Sequence, residues 1–240
     1  MKERELKLVE NPPIVQICGL CKAFGSVTAL KDVNVKIPEG RIIGLLGANG
    51  SGKTTLLKIL AGLYTNYDGE VLIDGQRPGA ESKAKVSYLP DRPAFSLKRT
   101  AEEIKEIYRT FFDDFDQLQF KRLMDAFEIG MQTPFREMSK GMIDKVQISF
   151  AMSRKARLYL LDEPLGGVDA KARDSVLDVI LENFDSKGTI LVATHLISEI
   201  ERLFDSVVVL REGQVVMHES CDAVRENYGS NLEEAMKEIF

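Results

Sequence analysis

The sequence predicts an α/β fold with a mostly parallel sheet and a helical insertion, on three observations. The short apolar run "RIIGLLG" feeds a Gly-rich turn and then the helically spaced "KTTLLKILAGLY". Further strand-length apolar runs follow at "KVSYL", "LYLLD" and "ILVAT", and the helix-like "AKARDSVLDVILENF" separates the last two. That order is expected of parallel strands joined by a helical crossover. Between "KVSYL" and "LYLLD" the chain becomes charged and aromatic at helical spacing.

Taken in order, "LKDVNVKIPEG" alternates Val33, Val35 and Ile37 with polar neighbours and stops at Pro38 and Gly40, a half-exposed strand and turn. In the helix after the Gly-rich turn, Leu56, Ile59, Leu60 and Leu63 share one face. From Ala101 to Phe127, Ile104, Ile107, Tyr108, Phe111 and Phe112 recur at helical spacing, followed by Leu118, Leu123 and Phe127. This reads as a helical subdomain inserted between two core strands. "SVVVLREGQVVMHES" reads as a β-hairpin turning at Glu212–Gly213. In the ending "LEEAMKEIF", Leu232, Ala235, Met236 and Ile239 form one face that docks on the protein's own body. No internal repeat or low-complexity segment appears.

A chain of 240 residues with 44% hydrophobic content fits one domain, with room for a subdomain. Net charge is −5, and the 32 Lys+Arg are interspersed among 37 Asp+Glu, so a basic nucleic-acid-binding stripe is not expected. The opening "MKERELKLVENPPIV" lacks the apolar stretch of a secretory signal. No run approaches the roughly 18 to 20 apolar residues that cross a bilayer, so a cytosolic chain is expected unless a partner holds it at a membrane. Cys18 and Cys21 form an isolated C-x-x-C, half of a zinc site at most, with His195 and His218 far away in sequence. Ordinary buried thiols and a metal or redox role are the two readings.

"GANGSGKTT", Gly47 to Thr55, fits G-x-x-x-x-G-K-[ST] in the required strand–turn–helix context. Such a loop brings the backbone of Gly47, Asn49, Gly50, Ser51 and Gly52 against phosphate, with Lys53 on the terminal phosphates, Thr54 on Mg²⁺ and Thr55 beside it. "RLYLLDEP" delivers two carboxylates at a buried strand end. Asp162 suits Mg²⁺, directly or through its shell, and Glu163 suits the orientation or deprotonation of a water. In "REMSKGMIDKVQISFAM", Ser139 and Gly141 precede an amphipathic helix, either as a second anion-binding N-terminus or with Ser139 as a plain N-cap. His195 ends an apolar strand, where it either meets a phosphate or water or is a satisfied structural group.

In this order the motifs resemble the ATP-binding subunit of ATP-binding cassette (ABC) transporters over roughly residues 14 to 220. "GANGSGKTT" matches that family's Walker A, "LYLLDEP" its Walker B with Asp162 and Glu163, "GGVDA" its D-loop at Asp169, and "ATH" its switch histidine at His195. Phe24 stands where the family has an aromatic that stacks on adenine, although by itself it reads as core. Two stations depart. The signature LSGGQ is here "MSKGM", which keeps Ser139 and Gly141, and the Q-loop glutamine is replaced by Asp91 in "SYLPDRP". With "FFDDFDQ", these departures resemble bacterial ABC-2-type export ATPases.

The resemblance implies a phosphate-loop NTPase core with a mostly parallel sheet, an antiparallel β subdomain and an inserted helical subdomain. It implies a single ABC ATPase domain over residues 1–240, with the core and β subdomain in 14–91 and 156–220, the helical subdomain in 92–155 and a C-terminal tail in 221–240. ATP and Mg²⁺ are the implied ligands, with Thr54, Asp91 and Asp162 near the metal, Asp91 acting as a Mg²⁺-dependent sensor or merely beginning the turn before Pro93. Pairing with a second ABC ATPase, as homodimer or heterodimer, would place the Walker A of one chain against Ser139, Gly141 and Asp169 of the other. A separate transmembrane permease would hold the chain on the inner face of the cell membrane, and no nucleic acid is expected. The alternatives are a soluble ABC ATPase that remodels a cytosolic assembly and a non-hydrolysing regulatory half of a heterodimer.

Overall fold

The computed structural model describes residues 13–184, 188–228 and 231–239. Most of the opening segment read for a secretory signal therefore lies outside the described residues. The chain begins with β1 (Pro13–Phe24), β2 (Val27–Pro38) and β3 (Ile42–Leu46), then α1 (Lys53–Leu60), β4 (Asp68–Ile73), α2 (Ala80–Ala84) and β5 (Val86–Leu89). Helices α3 (Ala101–Phe111), α4 (Gln117–Ala126) and α5 (Lys140–Met152) precede β6 (Leu158–Asp162), α6 (Ala170–Glu182), β7 (Thr189–Ala193) and the short α7 (Ile197–Ile200). The hairpin β8 (Ser206–Arg211) and β9 (Gln214–Ser220) leads to α8 (Cys221–Tyr228) and α9 (Leu232–Ile239).

Two sheets form. β2, β1 and β4 pair in that order as an antiparallel three-stranded sheet, while the larger sheet runs β5-β6-β7-β3-β8-β9. In the larger sheet every neighbouring pair is parallel except the β8–β9 hairpin. β3 and β6 are buried along their whole length because both faces are covered, and period-two alternation decides which side chain goes where. Ile43, Leu45, Leu158 and Leu160 join α1 and the antiparallel sheet in one core. Leu46, Tyr159 and Leu161 face α6 and the C-terminal helices in another, where Leu232, Ala235 and Met236 of α9 dock as the helical spacing of "LEEAMKEIF" predicts.

The inserted helices build a third, aromatic core. Phe115, Phe120, Phe135 and Phe150 are buried there, and the Phe120 and Phe150 rings stack with centroids 4.2 Å apart. Thr100 and Asp116 cap α3 and α4 by accepting the N–H groups of Glu103 and Gln119. α5 links this core to the sheet, since Val146 and Phe150 face the aromatics while Ile148, Ala151 and Met152 face the α6 side.

Three expectations shift. Leu63 falls outside α1 and is exposed, because the N–H groups of Gly62 and Leu63 turn back to the carbonyls of Ile59 and Lys58 and stop the helix. Ile107 and Phe111, though on the spacing of α3, stand open to solvent, Phe111 at 75% exposure. Leu118 is likewise exposed, because it lies in the first turn of α4 opposite Phe120 and Leu123.

Candidate functional site

The chemistry-bearing residues gather where parallel strands end, the place where α/β sheets open a crevice at their carboxyl edge. β3 runs into the phosphate loop, β5 into Pro90–Asp91, β6 ends at Asp162 with Glu163 next, and β7 leads to Thr194–His195. Between them lies a cleft of about 500 Å³ whose walls include Lys53, Thr54, Asp91, Lys140, Glu163 and His195. Asn49, Gly50, Gly52 and Thr55 also face it.

The loop is shaped by close backbone approach. Gly47 has φ 153°, and a Cβ there would stand 2.3 Å from the Leu210 carbonyl oxygen and 2.5 Å from Ser51 Oγ, so no side chain fits. The hairpin tip braces the loop, with the Gly213 N–H donating to the Ser51 carbonyl at 3.1 Å. Lys53 Nζ is tied into the loop, donating to the carbonyls of Gly47 at 2.6 Å and Ala48 at 3.2 Å. Burial holds the Lys53 ammonium below the usual lysine range, against the pull of Glu163 and Asp162.

Asp162 is the counterpart across the strand end. Its Oδ1 accepts from Thr54 Oγ1 at 3.2 Å, while its Oδ2 is buried without a partner. Burial pushes the Asp162 carboxyl up, and the nearby charges of Asp91 and Glu163 push the same way against the Thr54 hydrogen bond. Ser51 Oγ is a second buried oxygen without a partner. Unpaired buried oxygens are costly. Their presence beside a tethered lysine suits a site completed by a phosphate-bearing ligand and its cation.

Glu163 occupies a turn that most residues avoid, with φ 52°. Its N–H donates to the Ala193 carbonyl at 2.8 Å, extending the β6–β7 pairing, and its carbonyl accepts from the Gly166 N–H at 3.0 Å. Glu163 Oε2 accepts from Thr194 Oγ1 at 3.2 Å and from the His195 N–H at 3.4 Å, and His195 Nδ1 lies 2.9 Å away. The end of β7 therefore fixes the carboxylate on the cleft wall.

Other residues singled out by sequence sit elsewhere. Phe24, at the end of β1, packs edge-on against Tyr64 at 5.3 Å and does not line the cleft. Ser139 caps α5 by accepting the Met142 N–H, and Asp169 caps α6 by accepting the Ala172 N–H; neither lines the cleft, nor does Gly141. Cys18 is exposed and Cys21 Sγ accepts the Asp32 N–H; no metal-holding group of His, Cys, Asp and Glu occurs among the described residues. Thr194, Gly166 and Lys140 were not singled out by sequence. Only Thr194 carried a readable signal, a hydroxyl between a buried strand and His195.

The sequence profile of the family described as ABC transporter matches residues 30–166, more than half of the chain. The chain belongs to the ABC transporter family. Among relatives of this ABC ATPase, the ABC transporter ATP-binding protein YtrB of Bacillus subtilis is 34% identical over 220 residues, covering 90% of this chain and 75% of the relative. The lantibiotic transport ATP-binding protein SrtF of Streptococcus pyogenes is 28% identical over 224 residues, covering 92% and 95%. A solved structure described as the ATP-binding subunit of an ABC transporter superposes with a TM-score of 0.83 at 27% identity, covering 94% of this chain and 99% of that one. The ABC ATPase thus has the α/β cassette fold, binds ATP and hydrolyses it.

Proposed function

We propose that this ABC ATPase hydrolyses ATP in the cleft between the phosphate loop and the Glu163–His195 pair, and that this drives a separate membrane permease in export. The observation that carries the reading is the convergence of Lys53, Thr54, Asp162, Glu163 and His195 on adjoining strand ends. The loop backbone from Gly47 to Gly52 and Lys53 would hold the β and γ phosphates, which replace the carbonyl contacts of the lysine with charged ones. Mg²⁺ would be held by Thr54 and Asp162, whose free Oδ2 fits the role, with Asp91 within the same cleft. When bound, the ion neutralises charge on the phosphate oxygens.

Glu163 would accept a proton from the attacking water as oxygen bonds to the γ phosphorus and the bond to the β–γ bridging oxygen breaks, giving ADP and phosphate. Thr194 and His195 hold that carboxylate in place. Ser139, Gly141 and Asp169 would serve the nucleotide of a second ABC ATPase, in a homodimer or heterodimer, since they lie outside their own cleft. Phe24 would meet the adenine once its contact with Tyr64 is released.

The separate aromatic core of the inserted helices supports a 92–155 helical subdomain, while the 221–240 tail would pack into the core of the larger sheet through Cys221, Val224, Leu232, Ala235 and Met236. No described helix is long and apolar enough to cross a membrane, and the exposed Ile107, Phe111 and Leu118 suit contact with a polytopic partner that would hold the chain at the inner membrane face. Export is favoured by the altered signature and by the likeness to a lantibiotic transport protein. Co-purification from detergent-solubilised membranes tests the reading. A polytopic partner that stimulates ATP hydrolysis is expected; recovery of the active ATPase solely with a soluble assembly would favour a remodelling ATPase instead.

A further inference from the structure

Two ion pairs tie α6 to the stretch of chain that follows His195. Arg202 Nη2, in the 3₁₀ turn Glu201–Leu203 after α7, lies 2.7 Å from Asp174 Oδ1, and both side chains are more than half exposed. Arg173 Nη1 lies 2.7 Å from Glu199 Oε1 of α7 in a less open place, with the two side chains 22% and 41% exposed. Arg173 also reaches a second segment, since its Nε donates to the Val168 carbonyl at 3.3 Å. A planar guanidinium fixes two partners relative to each other, a hold that a point charge does not reproduce.

Both segments lead straight to the chemistry. Val168 is buried near the end of the loop that starts at Glu163 and runs to Asp169, and the Gly166 N–H braces the start of that loop by donating to the Glu163 carbonyl. Glu199 stands four residues after His195, on the short α7, whose Ile200 is fully buried in the same core as Leu165 and Val168. Between them the Leu196 N–H donates to Thr194 Oγ1 at 3.0 Å, and that hydroxyl donates to Glu163 Oε2. Glu163, the loop to Val168, Arg173, Glu199 and His195 therefore form a closed circuit. It is covalent along two chain segments and polar at three junctions, Val168–Arg173, Arg173–Glu199 and His195–Glu163. The imidazole is more than half exposed, so packing alone holds it weakly and a polar link behind it counts for more.

We propose that Arg173 is a positioning residue for ATP hydrolysis: it closes this circuit and keeps His195 in register with Glu163 when Asp169, at the far end of the loop, engages a second subunit. The proposal rests on the roles given above to Glu163 and His195. Arg173 is not among the residues that wall the cleft, so it acts on turnover and not on nucleotide affinity.

Steady-state ATPase kinetics on the full chain with Mg²⁺ test it. Arg173→Met should lower kcat about three- to fivefold, the scale of one partly exposed charged pair, with KM for ATP within about twofold of the parent. Glu199→Gln opens the same circuit with almost no change of shape and should do the same. Because both act through His195, adding Arg173→Met to His195→Ala should cost less than about twofold beyond His195→Ala alone. Arg202→Met removes the neighbouring pair but no junction of the circuit, and should leave kcat at the parental value. Unchanged kcat in Arg173→Met, an equal loss in Arg202→Met, or losses that multiply with His195→Ala would overturn the proposal and leave Arg173 a structural residue. Parental hydrolysis by Glu163→Gln in the same assay would instead sink the underlying assignment of the base, whatever Arg173 does.

Discussion

His195 Nδ1 stands 2.9 Å from Glu163 Oε2, and the backbone N–H of the same histidine also donates to that oxygen. One residue thus grips the proposed base twice, once by its side chain and once by its main chain. The side-chain contact is a hydrogen bond donated by Nδ1 to the carboxylate. The imidazole is 55% exposed, so it contributes little to the core. His195→Ala should lower ATP turnover by roughly tenfold, corresponding to about 1.4 kcal/mol of lost positioning, with nearly the same melting temperature. Steady-state turnover and a thermal melt on one preparation check both halves; unchanged turnover returns His195 to a structural role.

Asp91 shares the cleft with Thr54, and its charge is felt by Asp162. A carboxylate attracts a divalent cation more strongly than an amide and repels an unshielded phosphate. Asp91→Asn should raise the Mg²⁺ concentration that gives half-maximal ATPase activity, while metal-free nucleotide affinity stays equal or improves. Superimposable Mg²⁺ titrations of variant and parent would make Asp91 only the start of the turn before Pro93.

Arg154 joins the aromatic core to the sheet. Its side chain is 2% exposed, pairs with Asp114, donates to the Ala84 carbonyl at 2.8 Å and lies 3.8 Å from the centre of the Phe112 ring. Removing one partner strands the other. Arg154→Met should cost about 3 kcal/mol in chemical denaturation, with partial recovery in the Arg154→Met/Asp114→Leu double variant. Additive losses would show that the pair is not coupled.

The cysteines should separate by reactivity. Cys18 is exposed, whereas burial pushes the Cys221 thiol up to about 11. At pH 8 the thiolate fraction of Cys221 is therefore very small, and iodoacetamide should modify Cys18 in the folded protein while sparing Cys221 until denaturant is added. Mass spectrometry of digested samples reads the difference. Equal labelling of the two would show that the α8 packing opens readily.

Much of the fold was legible because local patterns and tertiary demands agree. The fully apolar β3 and β6 could only be buried strands, and Glu212–Gly213 turns the β8–β9 hairpin where the sequence places it. The phosphate loop and the Asp162–Glu163 pair were equally readable, since spacing fixes where each side chain leaves a strand. Other features depend on distant neighbours. Nothing in the local spacing says that Leu63 is cut off by Gly62, or that Phe111 faces water while Phe120 is buried. Thr194 was missed for the same reason: its contact with the cleft is a hydrogen bond to Glu163, 31 positions earlier.

The central claim is that Glu163 activates the attacking water, and single-turnover ATP hydrolysis by Glu163→Gln tests it most directly. The amide keeps the shape and cannot take the proton. ATP binding should persist, hydrolysis should fall by about 10²-fold or more, and the variant should accumulate as an ATP-bound pair of subunits. Hydrolysis at the parental rate by a monomeric variant, with ATP and Mg²⁺ present, would contradict the claim and remove Glu163 from the chemistry.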